Sequence, residues 1–232
     1  MNRERLKQKA ATQAMQYIQD HMIIGLGSGS TVYYFIKQLS ERCRQGLKIQ
    51  AGASSLHSTH LAKEGGIPLI DMHQVTRFDI TVDGADEIDR EKRMIKGGGG
   101  ALLREKILAS NSDEMIVIVD ETKVVNQLGA CKLPLEILPF GNAATILCLT
   151  NKGFQGKMRV GEHNQLMRTD NGNYIYDIDI SQCPAQPEDI EKQLITIPGV
   201  LETGFFFNLA GRVIIGKPDA IEIWPSTPSK TT

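Results

Sequence analysis

Three short segments of the sequence combine the residue types needed to bind an anion and to move protons. The first is the loop Gly25–Thr31, Gly-Leu-Gly-Ser-Gly-Ser-Thr, predicted to lie between a strand and a helix. Glycines let successive backbone N–H groups converge on one anion, and the N-terminus of the following helix adds partial positive charge. The hydroxyls of Ser28, Ser30 and Thr31 are further donors. The segment therefore predicts a site for one phosphate monoester, with a tight turn capped by Ser30 as the alternative.

Two familiar nucleotide sites do not fit this loop. A dinucleotide-binding fingerprint requires a third glycine where Ser30 stands, and the next predicted strand ends at Ala51 without the acid that binds ribose. A nucleotide P-loop requires a lysine before its serine or threonine, and this loop contains none. One phosphate group is therefore a better match than a nucleotide.

The second segment is the acidic run Asp83-Gly84-Ala85-Asp86, which follows the predicted strand Phe78–Val82. Ligands of open α/β sheets bind at the carboxyl ends of strands. Asp83 and Asp86 are three residues apart across a Gly-Ala turn, so we expect both side chains to face one cavity. Paired carboxylates suit sugar hydroxyls and proton transfer to a ring oxygen. A magnesium site and a solvated turn are the alternatives.

The third segment is Lys96 followed by four consecutive glycines, Gly97–Gly100, and a predicted helix over residues 101–109. Four glycines are costly to order, which indicates that the backbone lies where side chains would collide. Their N–H groups are candidates for stabilising an oxyanion. Glu105 has apolar residues three and four positions away on both sides, so we expect its pKa to rise toward the range of a general base. An ordinary surface glutamate is the alternative.

Helices and strands alternate through the first half of the chain, which predicts βαβ units and a mostly parallel sheet. The Asp170–Asn173 segment, Asp-Asn-Gly-Asn, predicts a hairpin, and the region around it is typical of a small α+β domain. Two late strands, 213–215 and 221–223, are expected to rejoin the first sheet. The predicted domains are therefore residues 1–130 plus 205–232, which form one discontinuous domain, and residues 131–204. Further strands are predicted at 22–26, 47–51, 68–70 and 115–119, and helices at 3–19, 32–43, 57–64, 142–150 and from 187.

Composition excludes several classes of protein. The 232 residues carry 26 basic and 27 acidic side chains, a formal net charge of −1, so no basic field indicates nucleic acid or an anionic membrane surface. The N-terminus resembles no signal peptide, and no apolar run is long enough to cross a bilayer. Four widely spaced cysteines without a C-x-x-C pair are typical of reduced thiols. We therefore expect a cytoplasmic protein without a metal site.

The three segments, in this order and at these separations, resemble the type A ribose-5-phosphate isomerases. The motifs are GSGST, VDGADEID and KGGGGALLREKI. Lys7, Lys123, the 133–139 stretch, the Asp170–Asn173 hairpin and Ile197-Pro198-Gly199-Val200 also match the family, so the resemblance covers nearly the whole chain. It implies an α/β fold, with a Rossmann-like domain of mostly parallel sheet and a smaller α+β domain. It also implies a homodimer, with a tetramer as the alternative, and no metal or cofactor.

The resemblance also implies roles for individual residues. Glu105 matches the glutamate that transfers the proton, with Asp83, Asp86 and Lys96 beside it in the catalytic set, and Lys7 matches a lysine on the phosphate side. Two departures from the family pattern are small. Ser28 stands where some members have threonine, and Leu103 stands where many members have threonine. The substrate-binding residues carried over are Lys7, Ser28, Gly29, Ser30, Thr31, Asp83, Gly84, Ala85, Asp86, Lys96, Gly97, Gly98, Gly99 and Lys123.

The implied reaction converts ribose 5-phosphate to ribulose 5-phosphate through a cis-enediol, in the non-oxidative branch of the pentose phosphate pathway. The alternatives are another sugar-phosphate isomerase or deaminase, a coenzyme A transferase on a similar scaffold, and a non-catalytic sugar-phosphate sensor. The acids and Lys96 suit polyol hydroxyls, which disfavours the transferase. The presence of Glu105 disfavours the sensor.

Overall fold

The computed structural model describes residues 3–161 and 164–225. Its α-helices are α1 Arg3–Ala14, α2 Ser30–Arg44, α3 Leu56–Gly65, α4 Leu102–Ser110, α5 Asn142–Asn151 and α6 Pro187–Ile195. Its strands are β1 Ile23–Leu26, β2 Gln50–Ala53, β3 Phe78–Asp83, β4 Glu87–Ile88, β5 Met94–Ile95, β6 Ser112–Asp120, β7 Leu133–Ile137, β8 Gly156–Met158, β9 Tyr174–Ile178, β10 Val200–Thr203, β11 Phe205–Phe206, β12 Ala210–Gly216 and β13 Ile221–Trp224. Short 3₁₀ turns cover Met15–Tyr17 and Glu121–Lys123.

The described residues form two compact units. The large unit lies within Met1–Ala85, Arg104–Val124 and Asn208–Thr232, and the small unit within Asp86–Leu103 and Val125–Phe207. These divisions differ from the predicted domain boundaries at residues 130 and 204. A domain is defined by its ability to fold on its own, which is a different property from compactness. The predicted domain boundaries therefore stay a prediction.

The large unit contains a six-stranded sheet in the order β13-β12-β6-β3-β1-β2. All neighbouring strands pair in parallel except β13, which pairs antiparallel with β12. The prediction of an α/β fold with a mostly parallel sheet is confirmed. The two late strands pair with each other, and β12 pairs with β6, so they rejoin the first sheet as expected.

The sequence of the large unit explains how its layers pack. The central strand β6 carries the apolar run 115–119, and all five of those side chains are buried, as expected for a strand covered on both faces. Helix α1 turns Ala10, Ala11 and Ala14 inward, and small side chains allow a close approach. A Cβ on Gly216 would lie 2.1 Å from the carbonyl oxygen of Leu6, so α1 lies directly against β12.

The small unit contains a four-stranded antiparallel sheet, β10-β7-β9-β8, and a three-stranded sheet, β11-β5-β4. Its core includes Leu133, Leu135, Ile178 and Leu194, all fully buried. The predicted 170–173 turn is present, with Gly172 at a φ of +81°, which favours glycine. The segment before the turn pairs with β9 through one antiparallel bridge, Arg168–Tyr174, whereas a hairpin predicts a full strand in that segment.

Two further local predictions differ from the structure. The predicted strand 68–70 is only one parallel bridge between Leu69 and Ala51. The predicted long first helix ends at Ala14 and continues as a 3₁₀ turn. Strands β4 and β5 were not predicted, because two residues each are too few to show an alternating pattern.

Candidate active site

Asp83, the last residue of β3, is the fully buried carboxylate of the large unit's candidate site. Its Oδ1 accepts hydrogen bonds from the backbone N–H of Ser28, at 3.1 Å, and of Gly84, at 2.7 Å. A Cβ on Gly27 would lie 2.0 Å from Asp83 Cγ, so only glycine fits at that position. Because two amides orient the carboxylate and Gly27 makes room for it, its position at the carboxyl edge of the sheet is fixed.

The Gly-Ser-Gly-Ser-Thr loop leads directly into α2, whose N-cap is Gly29 rather than Ser30. Gly29 has a φ of +98°, and no side chain caps the helix. The alternative of a turn capped by Ser30 is therefore wrong. Ser30 is exposed and Thr31 is half-buried, and the first-turn N–H groups have no acceptors within the helix itself. This N-terminus keeps the features of an anion-binding site.

A cluster of serines, Ser54, Ser55 and Ser58, surrounds the hydroxyl of Ser28. Ser28 Oγ lies 2.9 Å from Ser54 Oγ and donates to Ser55 Oγ at 2.8 Å. Ser58 Oγ donates to the carbonyl oxygen of Gly27 at 2.6 Å, and Ser55 caps α3. Sequence reasoning missed this cluster. Its signal was the pair of serines after β2, the second of which caps α3, a pattern that is also typical of an ordinary helix start.

The small unit holds the third candidate segment, Lys96 and the glycines after it. Lys96 is 3% exposed, its backbone N–H donates to the carbonyl of Gly204 at 2.8 Å, and its Nζ lies 5.3 Å from the ring centroid of Phe206. An ammonium group over an aromatic ring is stabilised by a cation–π interaction. The backbone of Gly204, just before β11, therefore anchors Lys96, and the Phe206 ring in β11 lies against its ammonium group.

Crowding explains two of the glycines that follow. Gly97 has a φ of +100°, and a Cβ there would lie 3.0 Å from Leu102 Cβ. The backbone N–H of Gly98 donates to Asp86 Oδ2 at 2.7 Å, and a Cβ on Gly98 would lie 2.8 Å from Asp86 Oδ1. A Cβ on Gly99, in contrast, would meet nothing within 4 Å. The structure thus joins Asp86 to the glycine run through a backbone amide.

Glu105 lies in the first turn of α4 and is 5% exposed. Leu108 and Ala109, at the following helical neighbour positions, are buried as well. The alternative of a solvated surface glutamate is therefore wrong. A buried carboxyl group among apolar neighbours is the environment expected of a general base.

The two remaining candidate lysines lie in helical segments of the large unit. Lys7 in α1 forms an ion pair with Glu4 at 3.1 Å. A hydrogen bond from the Tyr34 hydroxyl lowers the pKa of Glu4, and a hydrogen bond from Lys7 lowers it further by a smaller amount. The Glu4 carboxylate therefore stays charged. Lys123 ends the 3₁₀ turn after β6, and Asp120 caps that turn through the backbone N–H of Thr122 at 3.0 Å. Lys123 is therefore held near the carboxyl end of β6.

Metal-binding clusters and membrane-spanning helices are both absent from the described part of the chain. Within residues 3–161 and 164–225, no group of three or more His, Cys, Asp or Glu side chains is placed to hold a metal ion. The helices of that same part of the chain are all too short or too polar to cross a bilayer.

The fold is that of an α/β protein, and the candidate side chains of its two units have the chemistry that suits a small anionic, polyhydroxylated ligand. Amide donors and hydroxyls suit the anion, and buried carboxylates with a lysine suit hydroxyl groups and proton transfer.

Comparison with known proteins identifies the family. Residues 51–220 match the family model of ribose 5-phosphate isomerase A, also called phosphoriboisomerase A. A ribose-5-phosphate isomerase A of Protochlamydia amoebophila is 53% identical over 210 residues, which are 90% of this chain and 90% of that protein. The one named ribose-5-phosphate isomerase A 1 of Oceanobacillus iheyensis is 45% identical over 95% of this chain and 98% of its own. This chain belongs to the ribose 5-phosphate isomerase A family.

Solved structures agree with this assignment. A D-ribose-5-phosphate isomerase in complex with phospho-erythronic acid is 39% identical, covers 97% of this chain and all of its own, and superposes with a TM-score of 0.91. A ribose 5-phosphate isomerase from Plasmodium falciparum is 35% identical, with the same TM-score and coverage of 97% and 99%. The resemblance stated from the three motifs is confirmed.

Proposed function

We propose that this protein interconverts D-ribose 5-phosphate and D-ribulose 5-phosphate through a cis-enediol or enediolate, in the non-oxidative branch of the pentose phosphate pathway. One observation carries the proposal. Glu105, which matches the proton-transferring glutamate of the family to which the chain belongs, is buried in the helix that follows the glycine run. A buried carboxylate is the group needed to move a proton between C1 and C2.

The other candidate residues receive roles from their chemistry. Asp83, Asp86 and Lys96 donate and accept the protons on O1 and O2. Asp83 also assists opening of the sugar ring. The amides of Gly97–Gly99 stabilise the enediolate, because N–H groups aimed at developing charge act without reorganisation. Protonation at C1 or C2 by Glu105 then yields the aldose or the ketose.

The phosphate is assigned to the loop Ser28–Thr31 and the start of α2, with Lys7 and Lys123 as cationic contributors. Binding energy from a phosphate distant from the reacting carbons positions them for proton transfer. Support for this assignment comes from the uncapped helix N-terminus and from the hydroxyl network that orients Ser28. Lys7 would have to exchange its pairing with Glu4 for the substrate.

The decisive experiment replaces Glu105 by glutamine, which keeps size and hydrogen-bonding reach but accepts no proton. Turnover of ribose 5-phosphate should fall on the order of 10²–10⁴-fold, the usual range for a lost general base. The reaction is run in deuterated water, so that ketose formation and label uptake at carbon are measured together. Affinity for phospho-erythronic acid should be retained.

The matched control is Glu136→Gln, which also neutralises a fully buried glutamate. Glu136 Oε1 accepts hydrogen bonds from Thr169 Oγ1 at 2.9 Å and from Asn173 Nδ2 at 2.8 Å, so its function is structural. This variant should lose stability and keep turnover. A folded Glu105→Gln variant that isomerises within about tenfold of the parent, less than any general-base loss expected here, would show that Glu105 is not the base and favour Asp83 or Asp86.

We also propose that the enzyme is a homodimer. Large apolar side chains on the surface of the small unit support this, above all Phe140, which is 87% exposed, and Leu147, 59% exposed. Light scattering should give twice the 25.6 kDa chain mass. A mass of four chains would indicate a tetramer, and that of one chain would refute the proposal.

A cytoplasmic location is the last part of this proposal. Cys43, Cys148 and Cys183 keep free thiols, which suits a reducing compartment. Fractionation of the source cells should recover the activity with cytoplasmic markers, and recovery with secreted or membrane fractions would contradict it.

A further inference from the structure

Arg159, which follows β8 in the small unit, makes four hydrogen bonds with its guanidinium group. On one edge, its Nε donates to Asp177 Oδ2 at 2.8 Å, and its Nη2 donates to Asp177 Oδ1. On the other edge, its Nη1 donates to the carbonyl oxygens of Gly97, at 2.8 Å, and of Gly98, at 2.9 Å. The side chains of Arg159 and Asp177 are only 16% and 21% exposed. The paired carboxylate therefore holds the guanidinium in place, and the guanidinium holds two successive carbonyls.

This contact determines which way the amides of the glycine run point. In a planar trans peptide, the carbonyl of one residue and the N–H of the next lie on opposite sides. With both carbonyls turned toward Arg159, the N–H groups of Gly98 and Gly99 are turned away from it. The first of them donates to Asp86 Oδ2 at 2.7 Å, on that opposite side.

A glycine run needs such an external constraint. Glycine populates positive and negative φ about equally, so four in a row have many alternative backbone paths. Gly97 is held at a φ of +100°, in a turn that the Gly100 N–H closes by donating to the Gly97 carbonyl at 2.9 Å, and Arg159 binds that same carbonyl. An amide donor aimed at developing charge is effective only when its direction is fixed in advance.

We propose that Arg159 is a positioning residue, which fixes the Gly99 amide for the reaction and the Gly98 amide on Asp86, while Asp177 fixes Arg159. This inference rests on the proposed function, in which the glycine amides stabilise the enediolate. Arginine suits the role because its planar fork grips a carboxylate and two carbonyls at once, which the single ammonium group of lysine cannot do with the same geometry.

The test is Arg159→Lys, with Arg168→Lys as the matched control. Arg168 lies in the same unit and donates from Nη1 to another glycine carbonyl, that of Gly172, at 2.9 Å. Misplacing a catalytic group by about 1 Å costs up to ~10²-fold, so kcat of Arg159→Lys should fall roughly 10- to 100-fold. KM for ribose 5-phosphate should change much less, because the phosphate is bound elsewhere. The control should keep the parental kcat.

A second measurement separates positioning from general structural support. Arg159→Ala should regain part of its lost kcat when millimolar guanidinium is added, because the free ion can occupy the space between the carboxylate and the two carbonyls. Arg168→Ala should show no such gain. Asp177→Asn should lower kcat in the same way as Arg159→Lys, and the double variant should lose less than the product of the two single losses.

The outcomes distinguish failure of this inference from failure of the proposed site. Lys96→Met is measured in parallel, because it removes a proposed catalytic group. If Lys96→Met is inactive and a folded Arg159→Lys keeps kcat within about threefold of its control, well short of a misplacement loss, the positioning role is refuted and the site stands. If Lys96→Met is also fully active, the proposed site itself is wrong. If Arg159→Lys does not fold, unchanged kcat in Asp177→Asn refutes the inference.

Discussion

Gly25 and Gly27 offer a paired test of whether the position of Asp83 matters for catalysis. Each of these glycines faces one side chain of the neighbouring strand β3. A Cβ on Gly27 would lie 2.0 Å from Asp83 Cγ, and a Cβ on Gly25 would lie 1.9 Å from Thr81 Oγ1. The two alanine substitutions therefore create clashes of equal severity two residues apart, but only one of them strikes the candidate catalytic carboxylate.

The expected size of each effect follows from these distances. Ordinary van der Waals contact begins at 3.4 Å, so Asp83 must retreat by about 1.4 Å, the difference between 3.4 and 2.0 Å. That retreat loosens the bonds from the amides of Ser28 and Gly84 to its Oδ1. Since a misplacement of about 1 Å costs up to ~10²-fold, kcat of Gly27→Ala should fall about 10²-fold.

The control variant, Gly25→Ala, should lose as much stability as Gly27→Ala but keep its activity. Overpacking a well-filled site costs about 1–3 kcal/mol, so both variants should melt roughly 2–12 °C below the parent. Gly25→Ala should nevertheless keep kcat for ribose 5-phosphate within about threefold, because Thr81 is not a candidate site residue. The assay is turnover at a temperature where both variants are fully folded by circular dichroism. Equal kcat values for the two variants would refute a catalytic function for Asp83.

Three further predictions concern the substrate and the site. Chelator-treated protein should keep full activity, because lysine and backbone donors stabilise the enediolate; activity that returns only when magnesium or zinc is added would contradict this. Free ribose should be turned over far more slowly than its 5-phosphate, in kcat as well as in KM, because phosphate binding positions the reacting carbons; similar kcat values would count against the phosphate loop. Gly99→Ala should leave the melting temperature unchanged, because its Cβ meets nothing within 4 Å, and should lower affinity for phospho-erythronic acid; unchanged affinity would remove Gly99 from the substrate contacts.

The large sheet was predictable from the sequence because its strand β6 contains a continuous apolar run and helices separate most of its other strands. The 115–119 run became the centre of β6, and the late 213–215 and 221–223 strands joined the same sheet. Burial on both faces requires apolar residues at every position, and this pattern is visible in one sequence. The two-residue strands β4 and β5 are too short to show such a pattern: β4 pairs with the nearby β5, and β5 also pairs with the distant β11.

The candidate site divides in the same way between local and distant information. The glycines, hydroxyls and acids of the three motifs are local patterns, so they were found. The serines around Ser28 Oγ were not, because their contacts span 26 to 30 residues of sequence. Arg159 lies 61 to 62 residues from the carbonyls that it binds, and nothing in its sequence neighbourhood distinguishes it from an ordinary surface cation. The residues that support a site are brought to it only by folding. The motifs that they support can be recognised in a short stretch of sequence.

The glycine run shows why composition alone gives an incomplete explanation. The sequence predicts one cause for all of Gly97–Gly100, backbone crowding, but the structure gives each glycine its own. Gly97 and Gly100 have φ angles of +100° and +80°, which disfavour any side chain. Gly98 is excluded from carrying a side chain by the carboxylate of Asp86. Gly99 has neither constraint within the protein, so folding does not explain why it is glycine. A ligand that approaches the backbone of Gly99 would explain it. Gly99 is therefore the glycine of this run at which a substitution tests substrate binding rather than stability.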